Sequence, residues 1–196
     1  MKKGLMVFIL LCLLVPLSFA ESVIFRVFMP IDFGTNQSWY NSETGDSASL
    51  GVNAGLGIGA EALVPVIHYL QLGVGFAIPF GTSATQLTTA TFSFDPIYAI
   101  ARGVFPLGLF SPYVIVRAGY ALFSGNDAFS GGVNLSGGFF SAFGVGFEVK
   151  FGKNLPIWAF AEINYALDTG NWSYEGASGY ITYDRAQVAV GLAFGI

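Results

Sequence analysis

A strict two-residue alternation between bulky apolar and very small side chains constrains this chain more than any other feature. It is clearest in Leu56-Gly57-Ile58-Gly59-Ala60-Glu61 and returns in Phe143-Gly144-Val145-Gly146-Phe147-Glu148. Successive side chains of a strand point to opposite faces, so each segment has one hydrocarbon face and one face of glycine ending in a carboxylate. A soluble sandwich turns its bulky apolar face inward. A wall of Leu, Ile, Phe and Val backed by Gly, Ala and Glu instead suits a barrel whose outer face meets lipid and whose lumen is polar.

Composition agrees. The chain is 54% hydrophobic but only 10% charged, where soluble domains average roughly 25% charged residues. Beyond residue 20 no stretch of about 20 residues is apolar enough to cross as a helix. A closed barrel is the other structure that satisfies every backbone group inside a bilayer.

The first 20 residues read as a secretory signal: Lys2 and Lys3, an apolar run from Leu5 to Leu17, then Ser18-Phe19-Ala20, with cleavage expected after Ala20. The expected domains are therefore 1–20, the signal peptide, and 21–196, the barrel. Cys12 would leave with the signal, so the exported chain would carry no thiol for disulfides, nucleophilic catalysis or zinc. Without Lys2 and Lys3, six basic residues face twelve acidic ones. That balance argues against nucleic acid, whose phosphates need a basic surface.

Periodicity predicts about eight strands, near 22–33, 50–64, 69–80, 92–104, 112–123, 139–151, 157–167 and 181–196. The connections alternate. Segments 34–49, 81–91, 124–138 and 168–180 are long and polar, whereas 65–68, 105–111 and 152–156 are short and marked by proline. This predicts an all-β, up-and-down antiparallel transmembrane barrel with both termini on the short-turn, periplasmic side and four loops outside. Trp39, Tyr40, Trp172, Tyr174 and Tyr180 are expected in an outer aromatic girdle, and Tyr69, Tyr113 and Trp158 in an inner one.

Carrying the parity along each strand sends Arg26, Glu61, Arg117, Glu148, Lys150, Glu162, Asn164 and Arg185 into the lumen. An eight-stranded barrel is just wide enough for side chains to fill, and buried carboxylates must be paired. The predicted cluster has Arg117, with Lys150 or Arg26, bridging Glu61, Glu148 and Glu162. It would be a polar plug or, in a second reading, an ion gate.

Other motifs carry less. Gly55-Leu56-Gly57-Ile58-Gly59-Ala60 matches a dinucleotide fingerprint, but the strand period continues through it and Pro65 follows, so no helix can receive a pyrophosphate. His68, the single histidine, falls in a short turn opposite the long loops and is not expected to form a hydrolase triad there. Asn36-Gln37-Ser38, Asn134-Leu135-Ser136 and Asn171-Trp172-Ser173 fit the glycosylation sequon and read as polar loop chemistry. Asp46, Asp127, Asp168 and Glu175 fall in long loops as solvated charge, with no calcium-loop spacing. No catalytic residue, metal or cofactor is expected.

With strands and lumen placed, the chain resembles the small outer-membrane barrel family of OmpA barrel domains, OmpX and OmpW. The resemblance rests on Ser111-Pro112-Tyr113-Val114 through Ala118-Gly119-Tyr120, on Phe143 to Glu148, and on Ala161-Glu162-Ile163-Asn164-Tyr165. It implies a non-enzymatic, monomeric protein of the bacterial outer membrane that anchors surface loops for envelope integrity or adhesion. Its partners would be membrane lipid, the barrel assembly machinery and an unidentified surface ligand. A narrow channel or small hydrophobic-solute transporter of OmpW type is the alternative. The luminal acids and bases would be the counterpart of the ionic cluster in OmpA-like barrels. Family members end in an aromatic residue, whereas this chain ends Phe194-Gly195-Ile196, with Phe194 on the outward parity.

Overall fold

The computed structural model describes residues 23–80, 82–84, 87–126, 130–152 and 155–196. The expected signal peptide at 1–20 lies outside the described residues, as does Asp127. Ten strands form: β1 (Ile24–Asn41), β2 (Ser47–Gly51), β3 (Gly55–Ile67), β4 (Leu70–Pro79), β5 (Thr82–Ala84), β6 (Leu87–Val104), β7 (Phe110–Gly125), β8 (Asn134–Lys150), β9 (Ile157–Tyr174) and β10 (Ala177–Gly195). Eight of them pair antiparallel in sequence order, and β10 returns to pair with β1, closing the sheet into a ring. The short β2 and β5 extend the wall beside β1 and β6.

Closure requires tilt, and the pairing register shows how much. Stepping from partner to partner around the ring, Arg26 leads to Glu61, Gly75, Tyr98, Gly119, Phe140, Asp168 and Tyr183, then back to β1 at Gln37, eleven residues further along. One circuit thus climbs more than half the length of β1.

The alternation does what the sequence requires. Phe25, Val27, Leu56, Ile58, Phe143, Val145, Val190 and Leu192 are exposed on the outer wall, while Arg26, Phe28, Glu61, Glu148, Ala189 and Ala193 are buried inside. Glycine on the inner face makes room for larger neighbours. A Cβ at Gly75 would sit 2.7 Å from Glu61 Cγ and 2.8 Å from Tyr98 Cε2, and one at Gly146 would sit 2.6 Å from Tyr113 Cζ.

Several strands of 16 to 19 residues exceed the roughly 9–11 needed to cross a membrane. The surplus lies at the end away from the termini, and it corrects two expected loops. Segment 34–49 is largely strand, since β1 runs on to Asn41 and β2 folds back on it. Segment 168–180 is a β-hairpin closed by Glu175 and Gly176, at φ 46° and 94°, the left-handed pair of a tight hairpin turn. Asp168 is therefore not a solvated loop charge but a buried strand residue.

The aromatic girdles need correcting as well. Tyr40, Tyr69, Tyr174 and Tyr180 face out. Trp39 and Trp172 turn inward onto the core of the far end, and Trp158 packs beside Phe28 and Phe160. Tyr113 is fully buried in the lumen.

Candidate functional site: the luminal ion-pair network

At mid-barrel two acids and two arginines form a closed square. Arg26 from β1 ion-pairs with Glu61 from β3 and, at 2.9 Å, with Glu162 from β9. Arg117 from β7 reaches the same two carboxylates at 2.7 and 2.6 Å. All four side chains are at most 4% exposed. Each carboxylate is thus bridged by both guanidiniums, so charge cancels within a space that excludes water, as buried ions require.

Several of the remaining lone pairs and protons find partners as well, although Arg26 Nε has no hydrogen-bond partner. Tyr98 Oη donates to Glu61 at 3.2 Å, Tyr113 Oη donates to Glu162 at 2.9 Å, and Arg117 donates through Nη1 to Asn164 Oδ1 at 3.1 Å. Asn164 Nδ2 in turn donates to Glu162 at 2.9 Å. Charge-assisted bonds of this kind are stronger than neutral ones and fix orientation.

Two further groups sit on either side of the square. Toward the far end Arg185 from β10 pairs with Asp168 and, at 3.3 Å, with Asp32. Gln187 donates to Asp32 at 2.7 Å and accepts from Asn164 at 3.5 Å, which joins this group to the square. Toward the termini Arg102 from β6 pairs with Glu148 and donates to Gln71 at 2.9 Å. The Tyr113 ring separates the two levels, with the Arg102 guanidinium 3.9 Å from its centroid and that of Arg26 at 5.4 Å.

Five carboxylates thus meet four arginines along the barrel axis. Beyond Arg185 the lumen becomes aromatic: Phe94 stacks on Phe123 at 4.3 Å, and Tyr183 stands edge-on to Phe92 at 5.5 Å.

Of the expected cluster, Arg26, Glu61, Arg117 and Glu162 come together. Glu148 does not join them, because one β-pair nearer the rim it meets Arg102. Lys150 joins neither group. It is half-buried at the rim with Nζ 5.6 Å from the Trp158 ring. Sequence reasoning passed over Arg102, since β6 departs from the pattern: its inner face carries bulky Phe94, Tyr98 and Ile100, and its outer face carries small Ala99, Ala101 and Gly103. Parity from Tyr98 would still have placed Arg102 inside.

His68 lies between β3 and β4 with its ring edge-on to Tyr69 at 4.5 Å. Among the described residues no three His, Cys, Asp or Glu side chains form a group that could hold a metal ion.

No family model matches the sequence, and no curated protein matches it. Solved structures do. Neisserial surface protein A is similar at 13% identity, over 87% of this chain and 96% of that one, with a TM-score of 0.50. The chain has the fold of a small outer-membrane β-barrel. The outer membrane protein AlkL, studied in lipid bilayers, is 12% identical over 87% of this chain and 90% of its own, with a TM-score of 0.49. A designed transmembrane β-barrel is 14% identical over 90% of this chain and 97% of its own, at 0.46.

Proposed function

We propose that the protein is a non-enzymatic outer-membrane barrel whose filled lumen makes it a rigid anchor for the β-structure projecting from its far end. The observation that carries this reading is the run of ion pairs and hydrogen bonds from Asp168 through Arg185, Asp32, Gln187, Asn164 and the central square, which fills the interior between the aromatic core and Tyr113. A small barrel packed this way is a plug rather than a pore. The termini and short connections then face the periplasm and the far end faces outside. The exposed hydrocarbon wall contacts lipid, and the barrel assembly machinery is the partner during biogenesis. The protein works as a monomer without nucleic acid.

The test is single-channel recording of refolded protein in a planar bilayer. The anchor predicts silence from the wild-type chain, and a steady open level would overturn it. A channel for a small apolar solute is the second reading, and one observation favours it. The β4–β6 ladder stops at Phe76 and Ile97 although β6 continues to Leu87, and an apolar trough of about 700 Å³ along Ala60, Ala62, Val74 and Phe76 lies beside that break.

A further inference from the structure

None of the three sequon-like segments is loop: Asn36-Gln37-Ser38 lies in β1, and the other two are Asn134-Leu135-Ser136 and Asn171-Trp172-Ser173. These two lie in β8 and β9 and pair antiparallel, Asn134 with Ser173 and Ser136 with Asn171. Residues two apart share a face, so two amides and two hydroxyls form a checkerboard on the outer face of the projecting wall. Leu135 and Trp172 turn the other way, and the Trp172 ring packs 6.2 Å from Trp39. Two more strands continue the same rows. Ser178 stands opposite Ser173, Tyr180 opposite Asn171, and Tyr40 opposite Tyr180 with ring centroids 4.8 Å apart. The backbone of Ser42 bonds to that of Ser178 at 3.0 Å, closing the edge. The surface between them is a trough of about 510 Å³.

We propose that this trough binds an uncharged saccharide, a ligand class that deepens the surface-protein reading above. Hydroxyls and carboxamides each donate and accept, as sugar hydroxyls do, so a fixed lattice of both can pair with neighbouring hydroxyls of a pyranose. The Tyr180 ring, 45% exposed, offers the electron-rich face on which the C–H face of a sugar stacks. The four strands hold these groups in register before any ligand arrives, which lowers the ordering cost of binding.

Charge selects against anions. The Lys and Arg residues beyond Lys3 are Arg26, Arg102, Arg117, Lys150, Lys153 and Arg185. Among the described residues the four arginines are buried in the lumen and Lys150 lies at the opposite end of the barrel, while Lys153 lies outside the described residues. The charged groups near the trough are instead the acids Glu43, Asp46 and Glu175 of the adjoining turns. A phosphate, sulfate or uronate would meet only repulsion there.

The experiment is saturation-transfer NMR on the refolded full chain in lauryldimethylamine oxide, a detergent without a sugar headgroup. The probes are cellotetraose, maltotetraose and chitotetraose, with a sulfated heparin tetrasaccharide as the anionic counterpart. Because the protein is in micelles, the result does not depend on which side of a membrane the trough faces. We expect transfer to at least one neutral probe, weakened about tenfold by Asn171→Ala or Tyr180→Ala, the loss of one or two good contacts. Both sites are exposed, so the heat-sensitive gel mobility of the folded barrel should persist, and Ser173→Val serves if either variant fails to fold. The proposal is overturned by absence of transfer to every neutral probe, by transfer that the variants leave unchanged, by preference for the sulfated probe, or by self-association through this face.

Discussion

Arg26 and Arg117 each touch both Glu61 and Glu162, so neither arginine is a simple partner of one acid. Replacing Arg117 by alanine leaves two buried carboxylates sharing one guanidinium. Breaking a buried pair from one side costs about 3–5 kcal/mol. Glu61→Gln errs in the opposite direction, leaving two guanidiniums on Glu162, and no third acid is close enough to compensate because Glu148 is held by Arg102. The combination Arg117→Met with Glu61→Gln restores one cation to one anion. We therefore expect it to be less destabilising than the sum of the single changes by at least about 1 kcal/mol, the scale of coupling between contacting residues. Urea unfolding in lipid vesicles measures all three variants, and additive losses would mean that the square is not a unit. Arg102→Met should cost less than Arg117→Ala, since the Glu148 side chain is 9% exposed at the rim and gains water more readily.

Among the elements, the β9–β10 hairpin depends on two residues with positive φ. Gly176 adopts its angle freely. Glu175 does not, because a Cβ crowds the following carbonyl in the left-handed region and costs roughly 1–2 kcal/mol. Asn tolerates that region, and Asn-Gly is the preferred pair for such turns. Glu175→Asn should thus raise the unfolding midpoint by the equivalent of about 0.5–1 kcal/mol, while Gly176→Val should lower it, both read by the same urea titration. This hairpin also shows where the sequence was hard to read. Strands β3 and β10 were legible because apolar and small residues alternate along their length. In 168–180 the alternation is between Asn, Ser, Trp and Tyr, which resembles a polar loop once neither face is hydrocarbon. The central square was legible for a related reason: Glu61 follows the same parity as the glycines before it, and Glu162 shares the inward parity of Asn164 in its own strand. Glu148 does too, but parity gives the face and not the depth, and strand tilt separates it from Arg117.

For the whole molecule, the proposed function puts the two ends of the barrel on two sides of a membrane, and connection length says which end is which. The connection at Leu107 is short and lies on the same end as both termini, whereas Thr44 and Glu175 sit at the tips of the projecting hairpins. The four buried arginines contribute nothing to either surface, so orientation rests on loop asymmetry alone. Single cysteines at Thr44→Cys, Glu175→Cys and Leu107→Cys, each in a Cys12→Ser background, should all react with a membrane-impermeant maleimide in broken cells because all three positions are exposed. On intact cells only the first two should react. Trp39 and Trp172, though near the same end, turn inward and should label slowly in either case, which separates side-chain direction from membrane side. Reaction of Leu107→Cys on intact cells, with protection of the other two, would invert the barrel and place the saccharide trough in the periplasm.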